Sequence, residues 1–169
     1  SPNWKAYATG KNPGKLGVFW WQNVDTEGRR TYFPRERYHA HTEFWELLAE
    51  RESVGVIGVP TTYPPKSVGE FIVAGAPDAN ESGYTHPPEL ERRLERQFDY
   101  RVNNHVRREE NPDRACEEEL DLIDLRFSTA KHLLDRYDCS FLQVATFFIN
   151  QLHHHRWDHE YTLEGWKII

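Results

Sequence analysis

The chain has 169 residues, of which 38% are hydrophobic and 14% aromatic. That is enough to fill the core of one ordinary domain and too much for a disordered segment. A net charge of -6 disfavours nucleic acid as a polymer partner. No stretch approaches the roughly 20 apolar residues of a membrane span, and two cysteines are too few for a disulfide framework. No secretion signal is read in the sequence, so a cytoplasmic setting is favoured.

Ser1-Pro2-Asn3-Trp4 predicts a helix, with Ser1 as cap and Pro2 at the first helical position. Thr9-Gly10-Lys11-Asn12-Pro13-Gly14-Lys15 ends it with turn chemistry. Val18-Phe19-Trp20-Trp21 reads as a short aromatic strand or loop, and residues 23–38 as a polar connection. Thr42 is expected to cap a helix through about Arg51, and Val54 to Val59 is expected to form a buried strand. Glu70 to Ala74 reads as a second strand. Pro87-Pro88 can start a helix to about Gln97, and Tyr100 to Val106 can be extended. Asn111-Pro112-Asp113 predicts the start of a long helix to about Arg136, with Leu120, Ile123, Phe127, Ala130, Leu134 and Tyr137 on its apolar face. Phe141 to Ile149 is the most apolar stretch and reads as a central strand, followed by a helix. Alternating helices and strands predict an α/β domain with a mainly parallel sheet flanked by helices. Both ends read as cut: Ser1 opens a motif already under way, and Leu163 to Ile169 reads as the start of a helix without a stop signal. The expectation is therefore an internal fragment of a longer chain.

Two clusters carry candidate chemistry. His153-His154-His155 follows an apolar strand, where sites in open α/β sheets collect. Imidazole is the commonest metal ligand, yet neighbours on a helix point about 100° apart, so at most one or two of the three can ligate one ion. Asn150 and His154 are four apart, which places them on one helical face. The alternative is that these histidines are surface residues. In Pro60-Thr61-Thr62-Tyr63-Pro64-Pro65, a stiff backbone and the hydroxyls of Thr62 and Tyr63 suit a substrate-cleft wall, or else a rigid crossover loop. The glycines and lysines of residues 9–15 lack the phosphate-loop spacing and read as a turn. The arginines at 92, 93, 96, 107 and 108 are interleaved with glutamates and read as a solvated surface.

Four blocks in order, Ser1 to Val18, Phe44 to Leu48 followed by Val56 to Pro65, Gly83 to Leu90, and Phe147 to Trp157, span nearly all of the chain. Together they resemble the type I phosphodiesterase/nucleotide pyrophosphatase family of the alkaline phosphatase superfamily, particularly its archaeal members. The resemblance implies an alkaline-phosphatase-like fold, incomplete at both ends, in which residues 60–138 form much of a cap or insertion over the cleft. It implies hydrolysis of small-molecule phosphodiesters or phosphomonoesters through a covalent phospho-enzyme on a Thr or Ser just before Ser1. Two zinc ions about 4 Å apart would clamp the phosphoryl group. The family's Asp and His, four residues apart after the apolar strand, correspond to Asn150 and His154. Asn150 departs from Asp and removes one negative charge from the metal cage. Leu16 stands where the family often has His. Trp21 falls near the position at which some members carry an Asn on the phosphoryl oxygen. The resemblance therefore assigns His154 and Asn150 to metal and Trp21 to substrate, beside Thr62 and Tyr63 from the cleft-wall reading. No catalytic nucleophile lies within the chain. The alternatives are a sulfatase or phosphotransferase branch of the same superfamily, a catalytically dead binding-only homologue, and a free-standing His-rich metal-binding domain.

Overall fold

The structure is a computed structural model that describes residues 2–32 and 34–169. Helix α1 (Pro2–Thr9) and a single turn α2 (Pro13–Leu16) precede a small hairpin of β1 (Asn23–Asp25) and β2 (Arg30–Tyr32). Short helices α3 (Arg35–His39) and α4 (Phe44–Leu48) lead into β3 (Val54–Ile57), β4 (Phe71–Val73) and β5 (Thr85–His86). Helices α5 (Glu89–Phe98) and α6 (Pro112–Tyr137), strand β6 (Phe141–Val144), and helices α7 (Phe148–Arg156) and α8 (Glu160–Ile168) complete the chain.

The main sheet has the order β5-β4-β3-β6. Strand β3 pairs in parallel with both β4 and β6, and β4 pairs antiparallel with β5. The domain is mixed α/β, with a mixed four-stranded sheet flanked by helices. All four residues of β3 are buried, which explains its unbroken apolar run, because a central strand covered on both faces has no solvent side. Side chains alternate across the sheet. Val54, Val56 and Ile72 pack with Ala8 of α1 and Trp45 of α4. On the other face Ile57, Phe71 and Val73 pack with Leu90 and Leu94 of α5, Leu122 of α6 and Phe148 of α7. Residues 60–138 supply β4, β5, α5 and α6 and are thus woven into this sheet and its cover.

Several sequence expectations shift. The proposed cap at Ser1 lies outside the described residues. The polar connection at 23–38 contains the β1–β2 hairpin and α3, with Phe33 outside the described residues. Glu43, not Thr42, caps α4: its side chain accepts from the N3 backbone, and the Glu46 side chain reaches back to the Glu43 N–H at 2.7 Å. Helix α6 begins as expected, with Asn111 accepting the Arg114 N–H at 3.1 Å. Its buried face, however, includes Glu118, Glu119 and Arg126, and Leu134 is exposed. Those charged residues fasten the segment at 100–106, which is looped rather than extended. Glu118 Oε2 accepts the N–H groups of His105 and Val106, and Arg126 donates to the carbonyls of Arg101 and Val102. The apolar run at 141–149 divides: β6 stops at Val144, where its partner β3 stops, and Phe148 and Leu152 then bury one face of α7 at helical spacing.

Candidate functional site

The carboxyl ends of β3 and β4 open into two loops in close contact. Gly58 has φ 75°, and a side chain on it would meet the Ala145 carbonyl oxygen at 2.1 Å. A side chain at Gly75 would meet the Gly58 carbonyl oxygen at the same distance, 2.1 Å, so only glycine lets the backbones approach this closely. Beyond them stand Thr61, Thr62 and Tyr63 from one loop and Asp78 and Asn80 from the other.

Thr62 is buried and donates its hydroxyl to the Val59 carbonyl at 2.6 Å, so its oxygen faces the loop's own backbone. Tyr63 is half-buried. Its hydroxyl donates to the Ser82 carbonyl at 3.3 Å and accepts from Asn80 Nδ2 at 2.9 Å. Arg35 of α3 lies over its ring, 5.3 Å from the centroid. His39 Nε2 lies 3.3 Å from the Tyr63 carbonyl oxygen. Asp78 is buried, and its Oδ1 accepts the Thr61 N–H at 3.0 Å. Burial pushes the Asp78 carboxyl above its ordinary value, against the opposing pull of that N–H. Burial, aided by the charge of Asp78, raises the neighbouring Tyr38 hydroxyl to about 12.

Beneath these loops, Lys5 of α1 forms an ion pair with Glu43, and both side chains are almost fully enclosed. Glu43 also accepts from the Trp45 indole N–H at 3.0 Å and lies 3.9 Å from the Lys66 ammonium, which pairs in turn with Glu46. Burial pushes the Lys5 ammonium below its ordinary value, while Glu43 pulls the other way. The network ties α1, α4 and the 60–66 loop into one unit.

The second region lies beyond β6. Trp21 packs edge-on against Phe147, just ahead of α7, with centroids 6.0 Å apart. Asn150 and His154 are both exposed and stand one turn apart on α7. His153 is engaged elsewhere: its Nε2 accepts from the Trp166 indole N–H at 2.8 Å, and its ring contacts Trp157 and Trp166. Slight desolvation of this exposed ring, with the Arg108 charge nearby, holds His155 below its ordinary value. Among the described residues, no group of three His, Cys, Asp or Glu side chains is placed to hold a metal ion. Asn150 and His154 share one side of the helix at a four-residue step, and no third side chain of that kind joins them among the described residues. Leu16 is buried with Val18 and Tyr38 and is a packing residue.

The structure thus groups Thr62 with Tyr63, and Asn150 with His154. Among the described residues, no hydrogen bond or ring contact joins the two groups. Sequence reading missed Asp78, Arg35 and the Lys5–Glu43 pair. A polar Asp after the turn Gly75-Ala76-Pro77 was the available signal for Asp78; Arg35 and Glu43 gave none beyond their charge. No family model, characterised protein or solved structure matches the chain.

Proposed function

We propose that this chain is part of a metal-dependent hydrolase of small-molecule phosphodiesters or phosphomonoesters, built on an alkaline-phosphatase-like scaffold. The observation that carries the reading is the position of Asn150 and His154. They stand one turn apart and exposed on the helix entered directly from the carboxyl end of a parallel strand, where α/β folds collect ligands. The order of the four sequence blocks supplies the reaction class.

In this reading His154 offers a neutral imidazole and Asn150 an amide oxygen to a divalent cation such as zinc. When bound, the zinc pair supplies Lewis acidity toward the phosphoryl oxygens. Asn150 leaves the cage one negative charge short of a carboxylate, so the ion there is held more weakly and keeps more of its field for the substrate. Thr62 and Tyr63 would border the substrate cleft. Thr62 braces the loop through its bond to Val59, and Tyr63 presents a ring fixed by Asn80 and Arg35. Trp21, edge-on to Phe147 just ahead of α7, would lie on the substrate side. The nucleophile is the Thr or Ser expected immediately before Ser1. The firm seating of α1 by Lys5 and Glu43 would hold that hydroxyl in place.

The test uses the full-length protein with bis(p-nitrophenyl) phosphate, p-nitrophenyl phosphate and p-nitrophenyl sulfate. The expected result is hydrolysis of a phosphate ester that chelation abolishes and zinc restores, with metal analysis giving about two zinc per chain. Sulfate hydrolysis alone would move the chain to the sulfatase branch. Neither turnover nor stoichiometric zinc would leave a binding-only homologue, the reading that Asn150 specifically favours.

A further inference from the structure

Phe19 and Trp20 are neighbours in the chain and are 66% and 67% exposed. Val24, on the first strand of the hairpin, is 68% exposed. Apolar residues scattered singly over a surface need no explanation, whereas large ones grouped together mark an interaction surface.

The segment that carries them is firmly seated. Val18 is buried with Leu16 and Tyr38. Asn23 closes the loop from its far end: its Nδ2 donates to the Gly17 carbonyl at 2.9 Å, and its Oδ1 accepts the Phe19 N–H at 3.4 Å. Arg37 of α3 donates to the same carbonyl at 3.3 Å. Trp21, the next aromatic residue, packs on Phe147. Both sides of the loop are thus fixed, and Phe19 and Trp20 are left in water at its tip.

Charge indicates what would cover them. Residues 15–37 hold Lys15, Arg29, Arg30, Arg35 and Arg37 against three acidic residues, in a chain whose net charge is -6. Val24, Arg30, Arg35 and Arg37 line one groove, together with Asp25 and Glu27. Asp25 is already engaged by the Gly28 N–H at 3.0 Å and Arg30 Nε at 3.1 Å. Arg37 has no carboxylate partner among the described residues. Glu27 is the acid that opposes an anion here. The exposed Trp157, Leu163 and Trp166 have the reverse setting, because residues 157–166 hold three acidic residues and no Lys or Arg.

Area narrows the choice. An aromatic side chain buries roughly 150–250 Å². Two of them and a valine fall short of the about 800 Å² that each partner gives to a stable protein interface. They suffice at a bilayer surface, where a few apolar side chains enter the headgroup boundary and basic neighbours gain from anionic lipids. Tryptophan favours that depth. Among the described residues no helix is long and apolar enough to cross a membrane, so the contact concerned is at its surface.

We propose that the 17–24 loop and the arginines beside it form a docking surface for a lipid bilayer bearing anionic headgroups, with Phe19 and Trp20 entering the interface and Arg30 and Arg37 meeting the charge. This surface goes beyond the hydrolase reading and does not depend on it.

The test is co-sedimentation of the full-length protein with vesicles of phosphatidylcholine, with and without phosphatidylserine, under a chelator so that no turnover intrudes. Partition onto the serine-containing vesicles should exceed that onto phosphatidylcholine alone by about tenfold and fall as salt rises. Phe19→Ala together with Trp20→Ala should weaken it by roughly tenfold. Arg30→Gln should weaken it by about fivefold, and Glu27→Gln should strengthen it. All four side chains are exposed, so these variants are expected to fold. Trp157→Ala, at an equally exposed site, should match wild type. Absence of partition, equal partition onto both vesicles, or partition indifferent to the aromatic pair would overturn the proposal. So would a dimer in solution that the double variant dissociates without any vesicle binding, since the loop would then belong to a second copy of the chain. Failure of ester hydrolysis leaves all of these readings unchanged.

Discussion

The loops beyond β3 and β4 are held from several directions, whereas among the described residues no side-chain hydrogen bond or ion pair ties Asn150, His154 or His155 of α7 to another element. Thr61, Thr62 and Asp78 are buried, and their polar groups reach α3 and one another. On α7, Asn150, His154 and His155 are exposed, and Trp157 and Trp166 beside them are 69% and 54% exposed. A wall built in the first manner keeps its shape without a ligand and can impose geometry on one. A face built in the second manner offers donors but needs an ion or further chain to organise them. In the proposed enzyme the first region would select the substrate and the second would await the metal.

The largest test of that contrast concerns the pair under the rigid wall. Glu43→Gln leaves the enclosed Lys5 ammonium without a countercharge and is expected to cost about 3–5 kcal/mol in urea unfolding at neutral pH. Lys5→Met should cost less, because Glu43 would keep the Trp45 indole and the Lys66 ammonium. If the two changes cost the same, or less than about 1 kcal/mol each, the wall owes its rigidity to something other than this pair.

The next effect is at Thr61. Thr61→Ala and Thr61→Gly both remove the hydroxyl and the methyl group, but only glycine tolerates φ 71° without strain. The glycine variant should therefore be the more stable by about 1 kcal/mol. Equal stabilities would mean that the loop relaxes easily, and the contrast with α7 would weaken.

Much of the scaffold was legible in the sequence because it depends on neighbours. Strand β3 shows itself through an unbroken apolar run, and the start of α6 through Asn111-Pro112-Asp113, where each signal sits within one turn of what it controls. The run at 141–149 misled for the same reason. It joins the end of a strand to the buried side of a helix, and nothing local marks where β3 stops offering hydrogen bonds. At the candidate site, Thr62 and Tyr63 stood out by following a strand, and Asn150 and His154 by their spacing. The groups that shape the wall are distant in sequence: Lys5 and Glu43 are 38 residues apart, and Arg35 and Asp78 are 43 apart. Only the folded chain pairs them.

A pH comparison sharpens the picture further. Burial raises the Asp78 carboxyl above its ordinary value, so the folded state holds that proton more tightly than the unfolded one. The stability this provides is fully present below the unfolded value, near pH 4, and is lost as pH rises through the folded value. Asp78→Asn does not titrate and retains an acceptor for the Thr61 N–H. Its melting temperature relative to wild type should thus improve from pH 4 to pH 7. A difference that stays flat with pH would place Asp78 in a wetter setting than its burial implies.

The smallest effect on stability belongs to the face proposed to hold the metal. His154 is exposed and makes no bond that the helix needs, so His154→Ala should shift stability by no more than about 0.5 kcal/mol. His153→Ala should cost about 1 kcal/mol, because it leaves the Trp166 indole without its acceptor and removes two ring contacts. Zinc should respond in the opposite order. In the full-length protein, His154→Ala is expected to weaken zinc binding at least tenfold, as loss of even a ligand's outer partner costs roughly that much, while His153→Ala leaves it near wild type. The two residues are adjacent, share a helix and differ only in the face they occupy. A zinc loss that followed His153 would mean that α7 presents a different face to the ion, and the pairing of His154 with Asn150 would fall with it.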